Sequence, residues 1–306
     1  MASSNLRFLV FLLLGFFFLL VMYQVGLSLF IYLEGIHGLS GIPHRDDFHG
    51  GDLKERIPKK LHQTWKNEDL STYPLVASHA AWKKALPDFE VILWTDKQVE
   101  DLVREHYPEL FPTFMGYPYP IQRADIARYV ILHHEGGIYA DLDCSPNIMM
   151  VSRLLDAELV LVATSQEQAL SNHFMAAEKN SKILGLALRE APNNDQWIAL
   201  PYLRVFSSTG PLFMTRVVRK YVESQWGGKG NNDGEEEFSA EKLDLLVLSS
   251  AAGMGFCFHQ AGRSWHSLDG YLLNKIVDND HAGLILVTFL VFVCLCCIAL
   301  VRSRRR

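Results

Sequence analysis

The chain has 306 residues, 49% of them hydrophobic, and a formal net charge of −5. That length suits one large globular domain or two small ones. The acidic balance, sharper still once the arginines at the two ends are set aside, argues against nucleic acid as a partner.

Leu6 to Leu33 carries no charge except Arg7, and Phe8 to Met22 is almost wholly Leu, Phe and Val. A span of about 20 apolar residues crosses a bilayer as a helix. A cleaved signal peptide is the rival reading, but its apolar core runs only about 7–15 residues and ends at a small-residue cleavage site. This run is longer and no such site closes it, so residues 1–33 are expected to be an uncleaved anchor. Residues 34–56, rich in Gly, His and Asp, read as a linker.

Ile57 to Trp65 is the first strand pattern, opened by Pro58. Ser78 to Leu86 reads as a helix stopped by Pro87. Phe89 to Thr95 is a short apolar run rich in β-branched and aromatic residues, as in a buried strand. Asp96 is the expected cap of a helix through His106. A Pro/Tyr turn at Tyr117 to Pro120 precedes a helix over Ile121–Glu135, with Ala124, Ala127 and Ile131 on one face and Gly136-Gly137 as its stop. Ile138 to Asp143 and Glu158 to Thr164 are further strands. Ser181–Glu190 and Pro211–Ser224 read as helices, Gly227–Glu237 as a solvated acidic loop, and Leu243–Leu248 as a late strand.

Strands alternating with helices predict an α/β domain with a largely parallel sheet. Ligands of such sheets bind beyond the carboxyl ends of the strands. The chemistry is therefore expected just after Thr64, Thr95 and Tyr139.

A second apolar span, Ala282 to Val301, ends in Arg302-Ser303-Arg304-Arg305-Arg306. Basic residues gather on the cytoplasmic side of spanning helices. This predicts a C-terminal transmembrane helix over residues 282–301, a cytoplasmic tail at 302–306, and residues 34–281 on the luminal or outer side. Of the five cysteines, Cys294, Cys296 and Cys297 fall in that span; whether Cys144 and Cys257 pair is open from sequence.

Asp141-Leu142-Asp143 closes the strand from Ile138. In an extended segment residues two apart project to one side. Two carboxylates so placed suit a divalent cation such as Mg²⁺ or Mn²⁺, which takes carboxylate and phosphate oxygens. D-x-D is a weak motif alone; its place at the end of an apolar strand strengthens it. Upstream, Asp125 and Arg128 stand at i,i+3 on one helix face. They offer a carboxylate for sugar hydroxyls and a guanidinium for phosphate, or a surface ion pair worth about 0.2–0.5 kcal/mol. His133-His134-Glu135 lacks metal-binding spacing and reads as a solvated helix end. Trp94 reads as a core aromatic.

The block IQRADIARYVILHHEGGIYADLD from Ile121 resembles the nucleotide-sugar-binding region of the DXD-containing glycosyltransferase family that includes fungal Golgi α-mannosyltransferases and the large clostridial glucosylating toxins. IPKKLHQTWKNE from Ile57 and LPDFEVILWTD from Leu86 fit the same family. SSTGPLF from Ser207 and GRSWH from Gly262 are similar to its mannosyl inositol-phosphorylceramide synthase branch.

The resemblance implies a GT-A domain, a Rossmann-like nucleotide-sugar-binding fold, over residues 57–278, flanked by N- and C-terminal transmembrane helices. It implies a metal, Mn²⁺ or Mg²⁺, with GDP-mannose as donor. By position, Asp143 is the direct metal ligand and Asp141 contacts ribose, sugar or metal-bound water. His266 supplies a further metal or phosphate contact. His62, Thr64, Trp65, Asp125, Arg128, Tyr139 and Trp265 would line the donor site. The implied reaction retains anomeric configuration. The implied acceptor is inositol phosphorylceramide at a Golgi membrane, with a regulatory membrane subunit among the family's partners. Protein-linked glycans as acceptor, or a non-catalytic nucleotide-sugar-binding subunit, are the alternatives. The stretch Ser171-Asn172-His173 matches the branch only in part.

Overall fold

The computed structural model describes residues 2–36, 56–73, 77–147, 159–164, 169–226, 245–259 and 268–271, together with 38, 39, 42 and 157. The chain divides into two compact units. One comprises Met1–Ala199 and Leu203–Gly262, the other Leu200–Tyr202 and Arg263–Arg306. In the second, the Tyr202 N–H donates to Asp269 Oδ2 at 2.8 Å. The acidic loop 227–237, the apolar span 282–301, the tail 302–306, and both Trp265 and His266 lie outside the described residues.

Helix α1 (Ala2–Ile36) is apolar around its whole circumference. Its stretch Gly15–Gly35 has a mean hydropathy of 2.1, is long enough to cross a bilayer, and is only 12% buried. Leu13, Phe16, Phe17 and Leu19 turn outward. That suits a lipid-facing surface better than a core helix.

The main sheet has strand order β2-β1-β3-β6-β5-β7. The strands are β1 (Lys60–Trp65), β2 (Glu90–Thr95), β3 (Gly137–Ala140), β5 (Leu159–Ala163), β6 (Leu170–Ala177) and β7 (Leu245–Leu248). β1 pairs in parallel with β2 and β3, and β5 with β7, while β6 runs antiparallel to both its neighbours. Five strands thus point one way. β6 reverses, so its first residues arrive at the edge where the others end: Ala140 sits opposite Phe174. A two-stranded sheet of β4 (Cys144–Pro146) and β8 (Cys257–His259) caps that edge.

Period-two alternation divides the core into two layers. Leu159, Leu161 and Ala163 of β5, Met175 of β6 and Val247 of β7 face one layer. Against them pack α3 (Asp96–His106), α5 (Pro120–Glu135), α6 (Lys182–Glu190) and α8 (Pro211–Trp226). Val160 and Val162, Phe174 and Leu248 face the other layer, with Trp82 of α2 (Ala77–Ala85). The short helices α4 (Phe111–Gly116), α7 (Pro201–Ser208) and α9 (Ser250–Gly253) complete the fold.

Several local expectations change. The cap of α3 is Thr95, not Asp96. Thr95 and Gln98 form a reciprocal capping box, and Asp96 enters the first turn. Helix α5 is buried on nearly every side, from Asp125 to Leu132, rather than along one apolar face. It lies inside the layer and its polar residues have internal partners. His133 and His134 are not simply solvated. His133 Nδ1 hydrogen-bonds the Tyr107 hydroxyl at 2.7 Å, and the His134 ring lies tilted against that of His106 with centroids 4.4 Å apart. They tie the end of α5 to α3.

The Gly136-Gly137 stop is more than a helix end. Gly137 has φ +103, and a Cβ there would lie 2.6 Å from the Lys60 carbonyl and 3.0 Å from His62 Nε2. Gly137→Ala is expected to destabilise the protein by about 1–3 kcal/mol or more, because strain and overlap add. Thermal unfolding of the purified variant measures it.

Candidate active site

Three parallel strands end together at Trp65, Thr95 and Ala140, and beyond them the chain turns. β3 stops at Ala140, earlier than the strand pattern implied, and the Cys144 N–H closes a turn onto the Asp141 carbonyl at 2.9 Å. Asp141 and Asp143 therefore stand on a turn, not on an extended strand. Their side chains have different partners.

Asp141 is held from below. The Tyr139 hydroxyl donates to its Oδ1 at 2.8 Å, and Arg128 Nη1 lies 3.1 Å from Oδ1 and 3.2 Å from Oδ2. Tyr139 in turn bonds Thr64 Oγ1 at 2.9 Å, which links β1 to β3. Arg128 is spent within the protein. It donates to the Asn172 carbonyl at 2.8 Å and the Ala124 carbonyl at 3.2 Å, pairs with Asp125 at 3.3 Å, and lies over the Tyr139 ring.

Asp125 accepts from Asn172 Nδ2 and Thr209 Oγ1, both at 2.8 Å. Burial pushes the Asp125 carboxyl up to about 6, although Arg128, Thr209 and Asn172 oppose the rise. Burial also raises Asp141; Arg128 offsets part of this and Asp143 adds to it. Asp125 and Arg128 are thus a buried pair beneath the site rather than a surface pair or an open donor contact. This explains SSTGPLF as well. Thr209 reaches Asp125, its carbonyl accepts from Tyr129 at 2.7 Å, and Ser208 accepts from Gln122 at 2.8 Å.

The backbone of the turn is clamped from α2. Ser78 and Trp82 both donate to the Cys144 carbonyl, at 2.5 and 2.8 Å. Gln63 Nε2 reaches the Asp141 carbonyl at 3.5 Å, and the Asp141 N–H donates to the His173 carbonyl at 2.8 Å. The turn is therefore preorganised by side chains from β1 and α2 and by the backbone of β6.

Asp143 is 14% exposed at its side chain and lies 3.4 Å from His259 Nε2. Burial alone would lower the His259 pKa, but the bond to Asp143 and the charges of Asp143 and Asp141 outweigh it and raise it. Asp143, Cys144 and His259 bring ligand atoms within 4.8 Å of one another. Tyr73, packed edge-on against Trp65 at 4.8 Å, completes this side. Burial raises its phenol, with Asp143 and Asp141 adding to the effect.

His62 changes role. It is fully buried, its Nε2 donates to the Gly136 carbonyl at 2.8 Å, and its Nδ1 accepts from Trp94 at 3.1 Å. With both ring nitrogens engaged it supports the floor and offers nothing to a ligand. Burial pushes its pKa down to about 4, against the Gly136 bond and Glu135. Thr64 and Trp65 remain half-buried at the mouth. The residues that sequence reasoning passed over are Tyr73, Asn172, His173 and His259. Only the partial match at Ser171-Asn172-His173 pointed toward any of them.

Tyr139→Phe removes one hydrogen bond to a charged carboxylate. Such bonds contribute about 1.5–3 kcal/mol, so kcat/KM for the donor is expected to fall about ten- to a hundredfold. Steady-state transfer assays at varied donor concentration check this.

The matched family model describes a glycosyltransferase sugar-binding region containing a DXD motif, and it covers residues 75–161. Inositol phosphoceramide mannosyltransferase 1 of Schizosaccharomyces pombe is 30% identical over 265 residues, spanning 85% of this chain and 79% of its own. Mannosyl phosphorylinositol ceramide synthase SUR1 of Saccharomyces cerevisiae is 31% identical over 244 residues, 76% of this chain and 58% of its own. Inositol phosphoceramide mannosyltransferase 3 of S. pombe is 33% identical over 216 residues, 70% of this chain and 57% of its own. The chain thus spans under three fifths of the length of the last two.

Proposed function

Because this chain belongs to the family of glycosyltransferases whose sugar-binding region carries a DXD motif, we propose that it is a membrane-anchored, retaining mannosyltransferase that moves mannose from GDP-mannose to inositol phosphorylceramide. The observation that carries the reading is the turn Asp141–Asp143, clamped beyond the ends of three parallel strands, in a chain whose relatives are named as an inositol phosphoceramide mannosyltransferase and a mannosyl phosphorylinositol ceramide synthase.

The donor set fits a hard divalent cation, Mn²⁺ or Mg²⁺. Asp143 would bind it directly with His259 beside it; His266, expected from the resemblance as a further metal or phosphate contact, lies outside the described residues. Asp141, already bonded to Tyr139 and Arg128, would orient a ribose hydroxyl or a metal-bound water. When bound, such a cation supplies Lewis-acid stabilisation of a departing diphosphate. The rest falls to the chain. Thr64, Trp65 and Tyr73 form one wall of the donor site. The acceptor hydroxyl attacks the anomeric carbon on the face from which the nucleoside diphosphate departs; the bond from that carbon to the diphosphate oxygen breaks, the hydroxyl proton passes to the departing phosphate, and an α-linked product forms without a covalent enzyme intermediate.

A lipid acceptor is supported by how α1 meets the domain. Arg216 of α8 pairs with Glu34 through two bonds of 2.7 and 2.6 Å, and the Ala199 N–H donates to Gln24 at 2.9 Å. These bonds tie the catalytic unit to the C-terminal half of the bilayer-length helix, at Glu34 near its end and at Gln24 ten residues inside it. Within this reading residues 1–33 are the anchor, 34–56 the linker, 57–278 the luminal catalytic domain, 282–301 a second membrane helix and 302–306 a cytoplasmic tail. The setting is the Golgi, with a regulatory membrane subunit as partner.

The test is direct. Membranes containing the protein are given GDP-mannose, Mn²⁺ and inositol phosphorylceramide, and the mannosylated lipid is sought by mass spectrometry. Its appearance is the expected result. Metal-dependent hydrolysis of GDP-mannose without lipid product overturns the acceptor, and inactivity toward GDP-mannose overturns the donor.

A further inference from the structure

A second set of donors converges beside the carboxylates; it shares Cys144 with the Asp143–His259 group and is otherwise of a different chemical kind. Cys144 follows Asp143 and opens β4, Cys257 opens β8, and His173 lies in β6. Their ligand atoms, two sulfurs and one imidazole nitrogen, all lie within 4.8 Å of one another. The cysteines are 0% and 3% exposed, and both are free thiols. We propose that Cys144, Cys257 and His173 bind a soft divalent cation of the zinc type, at a site distinct from the hard-metal position at Asp143.

Three observations support this. The first is donor chemistry. Two thiolates and an imidazole are a recurrent zinc set, with metal–sulfur bonds of about 2.3 Å and metal–nitrogen bonds of about 2.0–2.1 Å, so the three donors need close in only slightly. A water would complete a tetrahedron. The second is the surroundings of His173. Ser171 Oγ bonds its Nδ1, the kind of outer partner that fixes the ring of a ligating histidine.

The third is strand register. In the β4–β8 pair Cys144 faces His259 while Cys257 faces Pro146, so the cysteines are diagonal. Diagonal positions are typically about 7–8 Å apart. A disulfide needs Cα atoms about 4.4–6.8 Å apart. A cation bridges the diagonal where a disulfide would have to pull the strands together.

Charge also permits two cations side by side. Two thiolates neutralise one dication, and their protons leave to solvent as it binds. The site so formed is electrically neutral and does not repel a second cation at Asp143. It pins β4, β6 and β8 together at the turn that carries Asp141 and Asp143. The proposal does not depend on the sugar or acceptor.

The full-length protein is purified in detergent without chelator and its zinc content measured by mass spectrometry. One zinc per chain is expected, retained in excess Mn²⁺ and unchanged in Asp143→Asn. Cobalt exchange of the wild-type protein should give thiolate-to-cobalt charge-transfer absorption. This band should be lost in Cys257→Ser and altered but present in Cys257→His, which keeps a ligand if the serine variant folds poorly. Thiols that resist alkylation until a reductant is added would reveal a disulfide and overturn the site. Freely alkylated thiols with no zinc at saturation also overturn it. Loss of zinc in Asp143→Asn would make the two metal positions one and overturn their separation.

Discussion

Replacing Asp143 by Asn is expected to lower sugar transfer about a thousandfold, because losing a charged metal ligand removes about 4 kcal/mol of transition-state stabilisation. Asn keeps the volume and can still hydrogen-bond His259, 3.4 Å away. The turn should survive, since the bonds that clamp it come from Ser78, Trp82, Gln63 and the His173 carbonyl and do not pass through the Asp143 side chain. An unchanged melting temperature with transfer near background is the expected pair of results. Transfer within tenfold of wild type at saturating Mn²⁺ would remove Asp143 from the metal centre.

Arg128→Leu acts through stability. Arg128 is the counter-charge for two carboxylates, Asp125 at 3.3 Å and Asp141 at 3.1 Å. Removing one partner of a buried pair costs about 3–5 kcal/mol, or about 6–20 °C in Tm for a domain of this size. The effect depends on pH in a known direction. Asp125 already has a folded pKa raised to about 6, above the unfolded carboxylate value, and losing Arg128 raises it further. The folded variant then holds a proton at pH values where the folded wild type does not, so its deficit narrows as pH falls toward about 6 and levels off below it, where Asp125 is protonated in both folded proteins. Calorimetry of wild type and variant at several pH values shows this. A deficit that stays constant with pH would mean that Asp125 does not need its partner.

Much of the frame was legible in one sequence. The elements Lys60–Trp65, Glu90–Thr95, Pro120–Glu135 and Leu159–Ala163 announce themselves by apolar runs of the right length, bounded by Pro, Gly or a cap. These are local signals, and short-range sterics and burial enforce them wherever the segment packs. β6 hid itself. Its polar Ser171-Asn172-His173 interrupts the strand pattern, because the Asn172 side chain answers to Asp125 and those of Ser171 and His173 to each other rather than to a core face.

The candidate site divides along the same line. That Asp141 and Asp143 matter could be read from a motif at the end of an apolar strand. That one faces Tyr139 and Arg128 while the other faces His259 could not be, because the difference comes from a turn closed by Cys144. The i,i+3 spacing placed Asp125 and Arg128 together. Only packing of α5 inside the layer made them a buried pair supported by Asn172, 44 residues along from Arg128, and by Thr209, 84 from Asp125.

The sequence by itself determined what the chain dictates locally: an apolar N-terminal helix, alternating strands and helices, and a pair of carboxylates where the strands end. The tertiary structure alone decided which partners those carboxylates meet, that His62 lies beneath the site, and that two cysteines 113 residues apart close on His173. Secondary structure follows from dihedral preferences and periodic burial within a dozen residues. A charge's environment depends on which distant segments exclude water around it, and that is known only once the layers have packed.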